Sequence, residues 1–155
     1  MSIYGYCRIS TAKQSIDRQI RNIKAEYPTA HIVQEAYTGT SIFRPEWLKL
    51  YRVLKAGDTV VFDSVSRMSR NAEEGFALYE DLYHKGIRLV FLKEHHIDTE
   101  TYKKALSGSI AMTGTNVDFI FKGINEYLMA LAKEQIKLAF EQSEKRSCRL
   151  ASTHP

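Results

Sequence analysis

Short apolar runs alternate with segments of helical spacing through the first 92 residues, and this alternation constrains the fold more than any other feature. The runs are β-branched and aromatic, as in buried strands, whereas the segments between them repeat apolar residues every three or four positions. Such an order predicts an α/β, three-layer domain around a mainly parallel sheet of four to five strands. The prediction comprises strands at 3–9, 31–37, 59–62 and 87–92, helices at 14–25, 45–55 and 72–85, and a polar loop at 63–70.

The alternation of predicted strands and helices ends in the last third of the chain. Residues 99–106 predict a short helix, and apolar residues then recur at helical steps from about 116 to 145. A helix of that length measures ~45 Å and outgrows a domain of this size. We therefore expect a second copy of the chain to cover its apolar stripe, giving a homodimer. The alternative is a helix that bends back across the sheet. The stripe consists of Ile120, Ile124, Leu128 and Leu131.

Composition restricts the setting in which the chain works. With 155 residues, 44% of them apolar, the chain is long enough for one domain with a substantial core. Its two cysteines, Cys7 and Cys148, form no disulfide framework, and the sequence shows neither a signal peptide nor a run that could span a bilayer. We expect a cytoplasmic protein. The net charge of +4 is concentrated in the first 60 residues, which suits a polyanionic partner or simply a solvated surface.

Arginines follow each of the first three predicted strands. Arg8 precedes Ser10 at the end of the first strand, and Arg44 follows the second. Arg67 and Arg70 lie in the polar loop after the third. Because parallel strands bring their carboxyl ends to one edge, the four guanidiniums can converge around one serine, and arginine suits bidentate recognition of phosphate. The alternative is that Ser10 only caps the following helix and Arg8 is a surface charge.

Motifs of other nucleophile, phosphate and metal sites are missing from the sequence. There is no Gly-x-Ser-x-Gly elbow, no Gly-x-x-x-x-Gly-Lys-Ser/Thr loop and no Gly-x-Gly-x-x-Gly fingerprint. The adjacent His95 and His96 lack the further ligands of a metal site. The interpretation that remains is a site in which a serine faces a phosphodiester and arginines bind and neutralise it.

Four short motifs follow one another along the chain: Tyr6-x-Arg8-x-Ser10-Thr11, Gln14 with Gln19, Gly39-x-Ser41-x-x-Arg44, and Ser66-Arg67-x-x-Arg70. In this order they resemble the catalytic domain of the serine recombinases, the family of resolvases and invertases. The long helix is similar to the dimerisation helix of that family. The resemblance implies a resolvase-like fold, with a catalytic core at 1–107 and a loop and long dimerisation helix at 108–146.

The resemblance also implies a mechanism. Ser10 attacks a DNA phosphodiester and forms a 5′-phosphoserine link with release of a 3′-hydroxyl, while the four arginines bind the phosphate. Double-stranded DNA is the implied substrate, and the implied assembly is a homodimer that becomes a tetramer in the synaptic complex. Neither a metal nor ATP is expected. The supporting residues that the resemblance implies are Gln14, Gln19, Tyr6, Ser66 and Glu134.

The chain departs from the family pattern at two positions. The family usually has Asp directly before the first arginine of the third loop, where this chain has Ser66, with Asp63 three residues away. On the long helix, the usual arginine after Glu134 is replaced by Gln135. An inactive fragment that acts as a dimerisation or regulatory partner is therefore the alternative function. A flavodoxin-like module that binds a phosphorylated small molecule is a second alternative.

The last residues, 147–155, lose the apolar periodicity and predict an irregular tail. Family members continue here into a DNA-binding domain, which we expect to be missing from this chain. A DNA sequence encoding residues 145–155 can be written so that loss of one A restores an amphipathic, family-like helix. A truncated or frameshifted gene, or a cloned fragment, is the hypothesis that this observation supports.

Overall fold

A computed structural model describes the protein at residues 1–9, 13–36, 44–69, 72–107, 114 and 118–152. Strands and helices alternate along the chain, as the sequence predicts. The strands are β1 (Ile3–Ile9), β2 (His31–Ala36), β3 (Thr59–Phe62) and β4 (Arg88–Phe91). The helices are α1 (Lys13–Glu26), α2 (Pro45–Val53), α3 (Val65–Met68), α4 (Ala72–His84), α5 (Thr99–Ser107) and α6 (Asp118–Ser152), with a 3₁₀ turn at His95–Ile97.

The four strands form one parallel sheet in the order β2-β1-β3-β4. Tyr6 lies beside Val33 on one neighbour and beside Phe62 on the other. The predicted fold class is thus confirmed. After β1 the chain crosses first to one side of the sheet and later to the other, so the strand order reverses between β1 and β3. In open α/β sheets, ligands bind outside the carboxyl ends of the strands at such a point.

Helices cover both faces of the sheet because side chains alternate along each strand. Val61 of β3 and Cys7 of β1 face α1, where they pack with Ile23. Phe62 and Tyr6 face the other way. The larger core on that side draws on α2, α4, α5 and α6, through residues that include Trp47, Leu50, Tyr79, Leu82, Tyr102, Ile136 and Phe140.

The edge strand β4 is closed by side chains that follow it in the chain. The N–H of Leu89 donates to Oγ1 of Thr99 at 2.9 Å, and the N–H of Phe91 donates to Oδ1 of Asp98 at 2.7 Å. The other carboxylate oxygen of Asp98 lies 2.7 Å from Nδ1 of His95, and this hydrogen bond raises the pKa of His95. Burial raises the pKa of Asp98. The donors of an otherwise open sheet edge are thereby satisfied.

The polar loop predicted at 63–70 contains a helical turn, α3, at Val65–Met68, so this part of the prediction is wrong. A single turn is too short to produce a periodic pattern in the sequence. Residues Asp63, Ser64 and Ser69 flank it outside regular structure.

The long helix α6 packs against the core through its second half, and a second copy of the chain over its first half stays a prediction. Ile136 and Phe140 in its second half are buried against the core, whereas the first half exposes Ile120 and Ile124, with 48% and 38% of their surface accessible. At the crossing with α4, Phe140 lies so close to Gly75 that an added Cβ would be 2.5 Å from its ring. None of the described helices, α6 included, combines the length and apolar character needed to cross a membrane.

The predicted irregular tail at 147–155 is wrong for residues 147–152, because α6 continues to Ser152. Neither Gly nor Pro interrupts the chain between Gly123 and Pro155, so nothing in the sequence stops the helix earlier. Loss of apolar periodicity removes a reason for the helix to pack on the core without removing its backbone hydrogen bonds. Residues 153–155 lie outside the described part of the chain.

Candidate active site

The candidate site lies at the carboxyl edge of the sheet, where β1 and β3 end side by side. Arg8 is the penultimate residue of β1, and Arg67 lies in α3, directly after β3. This is the point at which the strand order reverses. The parallel arrangement thus brings together two arginines that are 59 residues apart in the sequence.

Arg8 is held by both its main chain and its side chain. The side-chain amide of Gln19 accepts from the Arg8 N–H at 3.1 Å and donates to the Arg8 carbonyl at 3.0 Å, so it imitates a neighbouring strand. The guanidinium donates through Nη2 to the carbonyl of Ser66 at 3.1 Å. Arg67 donates through Nη1 to the Arg8 carbonyl at 3.4 Å. Only 5% of the Arg8 surface is accessible, so this guanidinium is part of the packed structure and not a surface charge.

The short helix α3 gathers a third arginine. Arg44, the residue before α2, donates through Nη1 to the carbonyl of Met68 at 2.5 Å. The carbonyls at the end of a helix have no partner within it and carry partial negative charge, which favours cations there. The guanidiniums of Arg8 and Arg44 therefore bind carbonyls of α3, whose partial negative charge favours the two cations there.

A buried carboxylate that sequence reasoning missed supports this arrangement. Glu35 of β2, 2% accessible, accepts hydrogen bonds from the N–H groups of Glu46 and Trp47 at 3.2 and 3.1 Å. It thereby satisfies donors in the first turn of α2. It also accepts from the hydroxyl of Tyr6 at 3.3 Å. In the pairing of β1 with β2, Glu35 lies opposite Arg8. An acidic residue in one predicted strand, opposite an arginine in the neighbouring strand, is the sequence signal that could have identified Glu35.

Burial is the main cause that raises the pKa of Tyr6 to about 12. The negative charge of Glu35 adds to this increase, while Arg44 opposes it. The phenol therefore stays protonated at neutral pH and donates to the carboxylate. Burial likewise raises the pKa of Cys7 to about 12, which excludes this thiol as a nucleophile at neutral pH. The described residues contain no group of three or more His, Cys, Asp or Glu side chains that could hold a metal ion.

Comparison with known proteins identifies the family of the chain. The family model described as "Resolvase, N terminal domain" matches residues 3–147, which is most of the chain. The chain belongs to the resolvase family. Its resolvase domain is 31% identical to the resolvase of transposon Tn21 from Escherichia coli over 91 residues, which are 59% of this chain and 47% of the relative. It is 32% identical to a resolvase of Clostridium perfringens over 99 residues, which are 63% of this chain and 52% of the relative.

A solved structure supports the same fold. The resolvase domain matches a serine recombinase from Sulfolobus solfataricus with a TM-score of 0.50 at 19% identity, over 82% of this chain and 97% of the other. At that identity the match supports the fold alone. The chain spans about half the length of the Escherichia coli and Clostridium perfringens relatives.

The structure of the resolvase domain brings together part of the predicted site. Hydrogen bonds bring Arg8, Arg44 and Arg67 together around α3, and Gln19 joins them through the main chain of Arg8. Tyr6 is fully buried in the core below them. Ser10 and Arg70 lie outside the described residues. Gln14 lies in α1, and its side chain is not described. Glu134 is exposed on α6, and no described contact joins it to the arginines.

The alternative that Arg8 is a surface charge is wrong, because Arg8 is buried and its guanidinium is bonded to the carbonyl of Ser66. Arg67 and Arg44 are half-buried.

Ser66 lies at the position where the family pattern has Asp, and its hydroxyl is hydrogen-bonded to a neighbouring serine. Its Oγ lies 2.6 Å from Oγ of Ser64. Asp63 is directed away, because its carboxylate accepts from Asn22 of α1 at 3.0 Å and pairs with Lys93 at 3.4 Å. The described contacts of the Asp63 side chain are thus with α1 and Lys93.

A groove of about 200 Å³ lies beside Arg44. Arg44 and Glu74 contribute charge to walls that are otherwise formed by Trp47, Leu48, Ser69 and Leu78. A larger pocket of about 300 Å³ lies elsewhere, beside Gly86, Arg88 and Lys103, towards the amino end of β4. Of these two, only the first is lined by an arginine of the predicted site.

Proposed function

We propose that this resolvase domain is the catalytic part of a site-specific DNA recombinase. The observation that supports the proposal most directly is that Arg8 and Arg44, from two separate segments, bind carbonyls of the short helix α3, which itself carries Arg67. A guanidinium has five N–H donors in a planar fork, a geometry that suits bidentate recognition of phosphate oxygens. The resolvase relatives named above add the substrate class, DNA.

In the proposed reaction Ser10 is the nucleophile. Its Oγ forms a bond to the phosphorus of a DNA phosphodiester as the bond from phosphorus to the 3′-oxygen breaks. Ser10 gives its proton to water and the 3′-oxygen takes up a proton from water, which gives a 5′-phosphoserine link and a free 3′-hydroxyl with no net change in protons. Rejoining is the reverse attack by a 3′-hydroxyl. Because the phosphoserine keeps the energy of the phosphodiester, this exchange needs no ATP.

The arginines act on the charge of the phosphate. Negative charge on the nonbridging oxygens increases as the phosphorus accepts a fifth ligand, and fixed donors aimed at it lower the barrier. Carbonyls of α3 hold Arg8 and Arg44 before substrate arrives, so little reorganisation is needed. We assign the same role to Arg70. Gln14 and Glu134 remain supporting residues in this proposal.

The proposed assembly is a homodimer through the exposed half of α6, with a tetramer when two DNA sites are paired. The support is the accessible apolar surface of Ile120, Ile124 and Leu131 along that half. Isolated exposed apolar residues are common on protein surfaces, but several of them on one half of a helix favour a contact surface. Phosphate contacts alone give DNA affinities of ~10⁻⁴–10⁻⁶ M that fall steeply with salt, and we expect this range for the domain by itself.

The second candidate function is an inactive dimerisation or regulatory partner of a complete recombinase. The specific observation in its favour is Ser66, whose hydroxyl is bonded to Ser64 where the family pattern has a carboxylate. If that carboxylate is needed for proton transfer, this chain cleaves no DNA.

Covalent trapping on DNA tests the proposal. The domain is incubated with duplexes nicked near the cleavage position, so that the released strand diffuses away and the phosphoserine adduct accumulates. The expected result is a slower-migrating protein band with wild type and none with Ser10→Ala. Absence of the adduct with wild-type protein that is folded and dimeric would favour the regulatory partner. Binding of phosphorylated small molecules with no adduct would favour the flavodoxin-like alternative.

A further inference from the structure

The helical turn that organises the arginines cannot hold its position alone. α3 has four residues, and its backbone bonds run from the N–H of Arg67 to Ser64 at 3.1 Å and from Ser69 to Val65 at 3.3 Å. Fixing a first helical turn costs more conformational entropy than its hydrogen bonds return. The position of α3 must therefore be set by groups outside it.

Glu94 is such a group at the amino end of α3. Its Oε2 accepts from the N–H of Val65 at 2.9 Å, the first residue of the turn. That N–H has no acceptor within a helix, and a carboxylate there also interacts favourably with the helix dipole. Glu94 follows β4, so it comes from a different strand than the residues that it supports.

The main chain around Glu94 is itself fixed. The pairing of β3 with β4 continues beyond the strands, with the N–H of Leu92 bonded to Phe62 at 3.0 Å and that of Lys93 to Asp63 at 3.1 Å. The carbonyl of Glu94 accepts from Ile97 at 3.1 Å. The carboxylate therefore projects from a rigid support.

We propose that Glu94 is a positioning residue for the guanidinium site. By fixing Val65, it sets the placement of Arg67 and of the two α3 carbonyls that hold Arg8 and Arg44. The turn is only ~6 Å long, so a shift at its first residue is transmitted to its last carbonyl. A misplacement of 1 Å costs catalysis about a hundredfold. This inference rests on the proposed recombinase function, because it concerns the efficiency of the same site.

Three variants separate the acceptor from the charge. Glu94→Ala removes both, Glu94→Gln keeps an oxygen at the same reach, and Glu94→Asp keeps the charge but withdraws it by one methylene. Glu100→Ala is the matched control, because this exposed glutamate lies at the start of α5 and pairs at 3.9 Å with Arg88, at the other end of β4. The rate constant of covalent cleavage at saturating DNA and the half-saturating DNA concentration are measured for each.

The expected result is a loss of cleavage rate of about tenfold to a hundredfold in Glu94→Ala and Glu94→Asp. The half-saturating DNA concentration should stay within about twofold. Glu94→Gln should recover most of the rate, and Glu100→Ala should match wild type. Equal rates in wild type and Glu94→Asp, or a Glu94→Gln variant as slow as Glu94→Asp, would overturn the proposal. Glu94→Asp decides the question if Glu94→Ala does not fold.

A measurement that needs no catalysis distinguishes this proposal from the function itself. Amide exchange of Ser69, whose N–H bonds to Val65 within the turn, should become faster in Glu94→Asp and remain unchanged in Glu100→Ala. Unchanged protection of Ser69 in Glu94→Asp contradicts the positioning role. If wild type forms no adduct, the recombinase function fails, and amide exchange alone then decides whether Glu94 positions α3.

Discussion

Removal of the Glu35 carboxylate tests how far α2, and Arg44 with it, depends on one buried group. In Glu35→Ala the Tyr6 hydroxyl and the N–H groups of Glu46 and Trp47 lose their acceptor. A buried donor without a partner costs ~1–3 kcal/mol, and loss of a helix cap costs ~1 kcal/mol. The first turn of α2 can shift its N–H groups partly towards water, so these costs do not add fully. We expect a loss of about 3 kcal/mol in the free energy of unfolding, which is a large fraction of the ~5–15 kcal/mol of a typical domain.

The chain contains its own probe for this measurement. Trp47 is the single tryptophan and is 7% accessible. Its main-chain N–H donates to the Glu35 carboxylate. Its fluorescence during urea titration therefore reports on unfolding at the affected helix. The matched control is Glu46→Ala, which removes a partly exposed carboxylate from the same turn, where it pairs with Lys49 at 3.4 Å. An exposed pair of this kind contributes less than ~1 kcal/mol.

Glu35→Gln separates the charge from the hydrogen bond. The amide keeps one acceptor oxygen, but its NH₂ group faces an N–H donor of α2 that the carboxylate had satisfied. We expect a loss of ~1–2 kcal/mol, between the control and Glu35→Ala. Covalent cleavage should fall in Glu35→Ala even where the protein is fully folded, because Arg44 directly precedes the uncapped helix. If the unfolding free energy of Glu35→Ala lies within ~0.5 kcal/mol of the Glu46→Ala value, the capping argument is refuted.

Four further predictions concern other parts of the domain. Gly75→Ala should lower the free energy of unfolding by ~1–3 kcal/mol, because the added Cβ would lie 2.5 Å from a ring of α6. Gly123→Ala, whose added Cβ would have no atom within 4 Å, should raise the free energy of unfolding by up to ~1 kcal/mol. Urea titration compares the two variants. Arg67→Ala should reduce covalent cleavage ~10²–10³-fold at nearly unchanged stability, and a wild-type rate would remove it from the site. Ile124→Lys should give a folded monomer by sedimentation, and a monomeric wild type at tens of micromolar would contradict the dimer. A hydrogen bond to an aspartate raises the pKa of His95, so the protonated ring stabilises the fold below pH 6.5. This contribution is lost as pH rises through the raised pKa. His95→Gln should therefore destabilise the protein more at about pH 5.5 than at about pH 9, as measured by thermal unfolding.

The sheet was predictable from the sequence because strands at its centre are buried on both faces. A strand such as β3, Thr59–Phe62, is covered by helices on either side and appears as a continuous apolar run, which the predicted strand at 59–62 matches. The same logic predicted that Arg8, Arg44 and Arg67 would share an edge. That inference needs only strand order and direction, and the hydrogen bonds to α3 are consistent with it.

The groups that support the arginines were not predictable in this way. Glu35 binds Tyr6 and α2, which lie 29 residues before it and 11 residues after it. Glu94 binds a residue 29 positions earlier. Neither contact produces a local spacing, and any side chain with a suitable acceptor could serve. Reacting groups are restricted in residue type and so leave motifs, whereas groups that only hold a backbone donor leave none.

The position of α3 links the site to the long helix as well. α3 contacts α6, and Met68 belongs to the same core cluster as Ile136 and Phe140. The turn is therefore held at its amino end by Glu94, at its carbonyls by guanidiniums, and along its apolar side by the second half of α6. Because one helical turn has little stability of its own, it follows these neighbours when they move. A change in the packing of residues 136–140 should thus displace the arginines, whereas changes confined to the exposed half of α6 should leave them in place.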